Sequence, residues 1–365
     1  MNGDRTGVLP SQHLRRLISE GAIRAERPVS EAQIQPASLD LRLGRRAWRL
    51  RASFLPGAGL AGASAAAATV AARLPDFAMH EMDLTEGAVF ERGCVYLCEL
   101  AESLALPPDV SAAANAKSTS GRLDLFVRLI ADGAAEFDRT PEGYAGPLFA
   151  EISPRSFSVL ARSGARLNQI RLRRGDSRLT EAEAQALDPE GRGDARQGRA
   201  FSVDLRPAGS DVAGWRARRH TGLIDLEKTG GYAARDFWEP LPAESAGRLI
   251  LDPGAFYILA SRENLRTPPD CAAEMTPFSA GVGEFRVHYA GFFDPGFGCA
   301  EAGGEGARAV LEVRCHEIPF VLEHGQDMGR LVYERMLARP DKLYGAGGVG
   351  SHYQGQGLKL AKQFA

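Results

Sequence analysis

Apolar residues along this chain come in short runs. LFAEI at 148–152 and AVLEV at 309–313 are typical, rich in Val, Ile, Leu and Phe and set between Gly and Pro. Runs of this kind predict short strands of an antiparallel β fold, and Pro-Pro-Asp, which occurs twice, predicts a turn each time. Helical spacing is confined to two places. Leu14, Leu17, Ile18 and Ile23 follow Ser11 near the start, and LTEAEAQAL spans 179–187. The pattern as a whole reads as mainly β with a few short helices.

The same pattern occurs twice. GCVYLCELAESLALPPDV at 93–110 returns as GAFYILASRENLRTPPDC at 254–271, an offset of 161 residues that pairs Tyr96 with Tyr257 and Glu102 with Glu263. The offset holds through Glu151 and Glu312, then Gly164 and Gly325, while SLDLR at 38–42 returns slightly out of register as SVDLR at 202–206. Fixed-period self-similarity of this length marks a duplicated domain. The expected division is one copy over 1–175, a polar connector over 176–199, and a second copy over 200–365. The Ala- and Gly-rich run at 57–72 reads as a flexible insertion.

Length and charge narrow the function. A chain of 365 residues exceeds one ordinary hydrophobic core, in keeping with two domains. With 44 Lys and Arg against 46 Asp and Glu, the net charge of -2 excludes a protein whose main work is coating nucleic-acid phosphates. A small anionic ligand in a local basic pocket stays open. No run is long and apolar enough for a membrane span, and no apolar segment follows the basic residues near the start as a secretory signal requires, so a cytoplasmic location is expected.

Cysteine usage bears on the chemistry. Cys94, Cys98, Cys271, Cys299 and Cys315 form an odd, dispersed set, expected to be reduced and mostly buried. Zinc-dependent nucleobase deaminases hold their metal with H-x-E and P-C-x-x-C, and neither spacing occurs. The nearest approach, Cys315-His316-Glu317, puts alternate residues on opposite faces of a strand. No metal site is expected.

Several segments together resemble the dCTP deaminase branch of the dUTPase-like superfamily: LPSQHLRRLISEGAI at 9–23, IQPASLDLRLG at 34–44, AKSTSGRLDL at 116–125, AGFFDPGFG at 290–298, VLEV at 310–313 and YGAGGVGSHYQGQG at 344–357. The resemblance implies two tandem β-clip domains of the dUTPase-like kind and hydrolytic deamination of dCTP to dUTP. It implies that KSTSGR is the phosphate loop, with Lys117, Ser118, Thr119, Ser120, Gly121 and Arg122 around the phosphates. Hydroxyl and Gly residues flanked by two cations offer several donors to an anion, although the same string is also an ordinary polar turn. By the same likeness AGFFD is the nucleoside hairpin, where main-chain groups near Ala290 read the base and Asp294 holds the 3'-hydroxyl. Asp294-Pro295-Gly296 is equally a standard turn signal.

Glu312 matches the family's catalytic glutamate, with Val310 and Leu311 beside the substrate and Ser118 and Arg122 completing the catalytic set. A carboxylate among Val310, Leu311 and Val313 must be paired or perturbed if buried, which suits proton shuttling; strand alternation alone could instead put it in solvent. The tail resembles the family's mobile cover, Tyr344, His352 and Gln356 matching nucleotide contacts. His352 stands where a lysine is usual and is mostly uncharged near neutral pH. No tightly bound cofactor is implied, Mg2+ arriving only with the triphosphate.

The copies have diverged. Where copy one has Arg122, copy two has Gly283, and copy one has VRLIADGAAEFD at 127–138 in place of the compact hairpin. The expected outcome is a composite site, with Ser118 and Arg122 from copy one and Asp294 and Glu312 from copy two. Family members assemble as trimers, so both a monomer and a homo-oligomer are open. The competing functions are a dUTPase, an enzyme carrying both activities, and a nucleotide sensor without chemistry.

Overall fold

A computed structural model describes residues 5–57, 66–187, 192, 197–277, 285–288, 291–346 and 357–365. Strands dominate. The chain divides into two compact units, one of Met1–Asp176 with Gly222–Thr229 and one of Ser177–Thr221 with Gly230–Ala365. The two apolar helical patterns form α1 (Ser11–Ser19) in unit 1 and, in unit 2, the helix Glu181–Leu187. α1 buries Leu14 and Leu17, two of the four residues its spacing singled out; Ile18 is half-buried, and Ile23 lies beyond the helix in the short strand Ile23–Ala25. No described helix is long and apolar enough to cross a membrane.

Unit 1 is built on a broad antiparallel sheet. Its main strands are β1 (Leu39–Leu50), β2 (Val95–Ala105), β3 (Val110–Ala116), β4 (Leu125–Ala131), β5 (Ala145–Pro154) and β6 (Arg166–Arg174). They lie in the order β4-β5-β2-β1-β6-β3. A smaller sheet joins Ala88–Phe90 to Val159–Ala161, and the short strand Ile224–Asp225 adds to the latter in parallel. Arg162 holds that strand, its two terminal nitrogens 2.8 and 3.2 Å from the Asp225 carboxylate.

Unit 2 repeats this plan in smaller sheets, two of which hold its main strands. Its main strands are β7 (Phe256–Leu265), β8 (Cys271–Pro277), β9 (Phe285–His288), β10 (Ala307–Cys315) and β11 (Asp327–Arg335). β7, β10 and β9 are neighbours in one sheet, as β2, β5 and β4 are in unit 1; β8 and β11 pair in the other, as β3 and β6 do. The repeat is visible in single hydrogen bonds. The Tyr96 hydroxyl accepts from the Glu91 amide at 2.9 Å, and the Tyr257 hydroxyl accepts from the Asp252 amide at 2.8 Å. Both tyrosines are buried, and Glu91 and Asp252 keep the offset of 161.

The repeated glutamates are buried or half-buried struts. The fully buried Glu102 carboxylate accepts from Gln33 Nε2 at 2.9 Å and from Arg42 through its amide at 2.8 Å and Nε at 2.7 Å. Glu263 takes the Ser202 amide and hydroxyl, both at 2.7 Å, and Arg192 at 3.2 Å. A buried carboxylate is tolerable only with such donors, because the cost of leaving water is otherwise uncompensated.

The run at 57–72, expected to be a flexible insertion, lies partly outside the described residues. Its described end is ordered: α2 (Val70–Phe77) follows Thr69, whose hydroxyl caps it by accepting from the Ala72 amide at 3.2 Å. Val70 and Phe54 are buried beneath it.

The five cysteines are free thiols, with Cys98, Cys271 and Cys315 buried. Burial pushes the Cys98 thiol far above its usual range and, with the Asp270 charge adding, Cys271 up to about 11. Since the thiolate is the reactive form, iodoacetamide at mildly alkaline pH should label neither in the native protein and both after urea unfolding, as read by peptide mass. Labelling of native Cys98 would contradict this packing. Glu102→Ala strands the Arg42 and Gln33 donors and should cost about 3–5 kcal/mol in urea unfolding; a loss near zero would show that water replaces the carboxylate there.

Candidate active site

The loop KSTSGR lies between β3 and β4 in unit 1. Ser118–Gly121 makes one helical turn, closed by the Gly121 amide donating to the Lys117 carbonyl at 2.9 Å and the Arg122 amide to that of Ser118 at 3.0 Å. The turn is fixed to β6 at two points, through the Lys117 amide and the Ser120 hydroxyl, both bonded to the Leu167 carbonyl, at 2.9 and 2.8 Å. Anchored this way, Ser120, Gly121 and Arg122 are buried, Lys117 and Thr119 are half-buried, and Ser118 is exposed. The Ser118 and Thr119 side chains are left toward the outside of the turn, while the Ser120 hydroxyl is engaged inward with Leu167.

Lys117 has a partner that sequence reasoning missed. Its ammonium is ion-paired with the buried Asp40 carboxylate, and Arg166 lies 3.7 Å from the same oxygen. Asp40 is the aspartate of SLDLR; its counterpart Asp204 in SVDLR is paired with Arg308 at 2.6 Å. The recurrence of an aspartate in both copies was the available signal. What the repeat could not give is the identity of the cation, which differs between the units.

In unit 2 the hairpin residues meet the start of the tail. Asp294 is buried at the turn, where the Phe297 amide donates to its carbonyl at 3.1 Å. The Tyr344 amide donates to the Pro295 carbonyl at 2.8 Å, and the Tyr344 ring lies 5.7 Å from Phe297, itself edge-on to Phe293 at 5.0 Å. Gly296 permits this approach: it has φ +97°, and a Cβ there would come within 2.9 Å of Leu343 Cβ. Tyr344 and Asp294 are therefore brought together.

Glu312 sits in mid-strand on β10, opposite Ile258 of β7 on one side and His288 of β9 on the other. Alternation decides its surroundings. Ala309, Leu311, Val313 and Cys315 face the main apolar core of unit 2, so Val310 and Glu312 take the other side of the sheet. Glu312 is nonetheless only 4% exposed, so the solvent-facing alternative is wrong for this residue. Leu311 has its side chain in the core, leaving only its main chain for any ligand. A carboxylate displaced from the core yet shielded from water is placed to accept and return protons, provided donors approach from that face.

Ala290, His352 and Gln356 lie outside the described residues, as does Gly283. The chain beyond the tail segment is anchored. Phe364 packs among Tyr232, Phe237 and Trp238, with centroids 5.4–6.4 Å apart, and the Ala365 amide donates to the Tyr232 carbonyl at 3.0 Å. Among the described residues no group of three or more His, Cys, Asp or Glu could hold a metal ion.

Comparison with known proteins agrees with the repeat. Residues 5–176 match the 2'-deoxycytidine 5'-triphosphate deaminase N-terminal domain and residues 173–364 match the C-terminal domain. The crystal structure of 2'-deoxycytidine 5'-triphosphate deaminase from Agrobacterium tumefaciens superposes with a TM-score of 0.85 at 52% identity, covering 91% of this chain and 99% of that one. A dCTP deaminase, dUMP-forming, from Beutenbergia cavernae is 30% identical over 162 residues, which is 42% of this chain and 77% of the relative. A protein of the same name from Bifidobacterium longum is 30% identical over 129 residues, 32% of this chain and 63% of that relative. Domain matches over nearly the whole length, in the order the repeat dictates, make this chain a member of the 2'-deoxycytidine 5'-triphosphate deaminase family.

Proposed function

We propose that the chain hydrolyses dCTP to dUTP and ammonia, with Glu312 moving the protons. The observation that carries the reading is a buried carboxylate on the non-core side of β10, at the position that resembles the family's catalytic glutamate. Water adds to C4 of the cytosine; its proton passes through the Glu312 carboxylate to N3. The proton of the new C4 hydroxyl then passes by the same carboxylate to the amino group. The C4–N bond breaks, ammonia leaves, and a C4 carbonyl remains. Atoms balance with one water consumed.

The other residues divide the remaining work. Ser118, Thr119, Ser120 and the main chain at Gly121 bind phosphate oxygens, with Arg122 beneath them, and Ser118 and Arg122 are needed for catalysis. Lys117 serves this loop through Asp40 as much as through its charge. Asp294 holds the 3'-hydroxyl, Tyr344 packs beside it, and Ala290, Val310 and Leu311 offer main-chain groups to the base. His352 and Gln356 cover the nucleotide. Mg2+ enters as the partner of the triphosphate, keeping most of its waters. The chemical step itself is metal-free, and the protein works in the cytoplasm. A homo-oligomer is compatible with this reading.

A second reading has one specific support, the dUMP-forming name of the Beutenbergia cavernae relative. In that case the α–β phosphate bond is also cut and the products are dUMP, pyrophosphate and ammonia. Chromatography of the nucleotide product separates the two.

Glu312→Gln keeps the shape but cannot accept a proton. Ammonia release should fall by about 10² to 10⁴-fold while dCTP affinity is largely kept. Arg122→Ala should damage dCTP affinity and turnover together. Full activity in Glu312→Gln would remove the proton-transfer assignment. Because the step needs no zinc, o-phenanthroline should leave ammonia release unchanged; loss of activity that zinc restores stoichiometrically would defeat that part.

A further inference from the structure

The duplication gives every chain a second carboxylate at the reacting position. Glu151 of β5 keeps the offset from Glu312 and has the same ladder neighbours: Leu97 opposite on β2 corresponds to Ile258 on β7. On the other side the copies part. Glu151 lies opposite Arg128, whereas Glu312 lies opposite His288.

Arg128 takes hold of Glu151. Its Nε donates to Glu151 Oε1 at 3.1 Å, and its Nη2 donates to the same oxygen and to the Ser53 hydroxyl, the latter at 3.1 Å. The guanidinium lies 3.4 Å from the Phe137 ring centre and 4.7 Å from that of Phe126. A planar cation stacked on aromatic rings and donating to a carboxylate satisfies both hydrogen bonding and cation–π attraction. It also fills the space a planar base with an amino group would need beside that carboxylate.

The face itself is filled. Phe149 and Glu151 share one side of β5 by alternation. In unit 2 the corresponding side, that of Val310 and Glu312, is the one turned away from the core. In unit 1 it carries a core of its own: Phe149 packs with Trp48, Leu50, Phe54, Val70, Leu97 and Ile130, all under 9% exposed. Val70 comes from the 57–72 insertion, and Phe54 and Phe77 from the segments that flank it, Phe77 stacking on Phe54 at 4.7 Å. The insertion is latched to the end of β4 at both of its described stems. The Gly57 amide donates to the Ala134 carbonyl at 2.9 Å, Val70 to the Asp132 carboxylate at 2.7 Å, and Gly133 to the Ala68 carbonyl at 2.7 Å. A side chain at Gly57 would put its Cβ 2.3 Å from the Gly133 carbonyl oxygen.

We propose that the insertion and its flanks, at 51–57 and 66–77, together with Arg128, have converted the unit-1 counterpart of the reacting face into a closed core, so that each chain binds and deaminates one dCTP rather than two. Glu151 is thereby a strut held by Arg128, whose guanidinium also donates to the Ser53 hydroxyl. The inference rests on Glu312 being the proton carrier. It adds a reason, absent from the sequence repeat, why the duplicated glutamate does not double the activity.

The test uses the whole chain. Titration of Glu312→Gln with dCTP by calorimetry should give one dCTP per chain, and a stoichiometry of two overturns the proposal. Glu151→Gln should leave kcat, KM and the pH profile of ammonia release where they are; a loss as deep as that of Glu312→Gln also overturns it. Thermal unfolding then checks the lock without nucleotide. Arg128→Met leaves Glu151 buried and alone, and the unfolding midpoint should drop by roughly 6 to 12 °C. Adding Glu151→Gln to that variant should recover part of the drop, whereas strictly additive shifts mean that the two side chains are not coupled. Ammonia release by Glu312→Gln at the normal rate would fault the proton-carrier assignment instead, and leaves the Arg128–Glu151 coupling to be judged by the midpoints alone.

Discussion

A carboxylate taken out of water must be met by donors, and much of this molecule is arranged to meet that demand. Asp40, Glu102, Glu151 and Glu312 are each less than 5% exposed on or beside the central strands. Three of them are met by donors from elsewhere in the chain: Lys117 for Asp40, Gln33 and Arg42 for Glu102, and Arg128 for Glu151. Two of these pairings cross neighbouring strands, Arg42 to Glu102 between β1 and β2 and Arg128 to Glu151 between β4 and β5. The KSTSGR turn is tied to β1 by another of them, through Lys117 at its base and Asp40.

The duplication kept the carboxylates and let their partners change. Glu102 and Glu263 hold the same place in the repeat, yet one is satisfied by a glutamine and Arg42 and the other by the Ser202 amide and hydroxyl together with Arg192. Asp40 and Asp204 differ in the same way, lysine against arginine. The pattern is understandable physically. The charge is expensive to bury and difficult to remove without refilling its space, while any well-placed donor will serve it. Acidic positions are consequently conservative within this chain and the donors around them are free to drift, so one copy can be specialised without unravelling the sheet.

Much of this was legible in the sequence, for reasons specific to each element. The constant offset of 161 located equivalent strands because β ladders tolerate no slip when one face is buried. α1 was visible through Leu14 and Leu17. The resemblance singled out Glu312, but its burial was not legible, because period-two alternation gives two faces without saying what covers each. Arg128 was hidden for the same reason: an arginine in LFVRL looks like an outward-facing residue until its cross-strand neighbour is known. The ordered part of the insertion was misread because Ala- and Gly-rich composition speaks only to weak local preference, whereas Val70 and the flanking Phe54 and Phe77 act through contacts made on a distant strand. The parallel strand Ile224–Asp225 left no trace, being only two residues long.

That two-residue strand bears on how the gene can be handled. Residues Gly222–Thr229 belong to unit 1 although the chain on either side of them belongs to unit 2. The boundary between the units is therefore not a point on the sequence. A fragment ending near residue 176 would lack the strand that lies against Val159–Ala161 and would leave the Arg162 guanidinium without the Asp225 carboxylate. The complementary fragment would carry an orphaned segment instead. A chain wired in this way resists being cut back into the single-domain ancestor that its repeat records, and fusion of the two copies has become, in the covalent sense, irreversible.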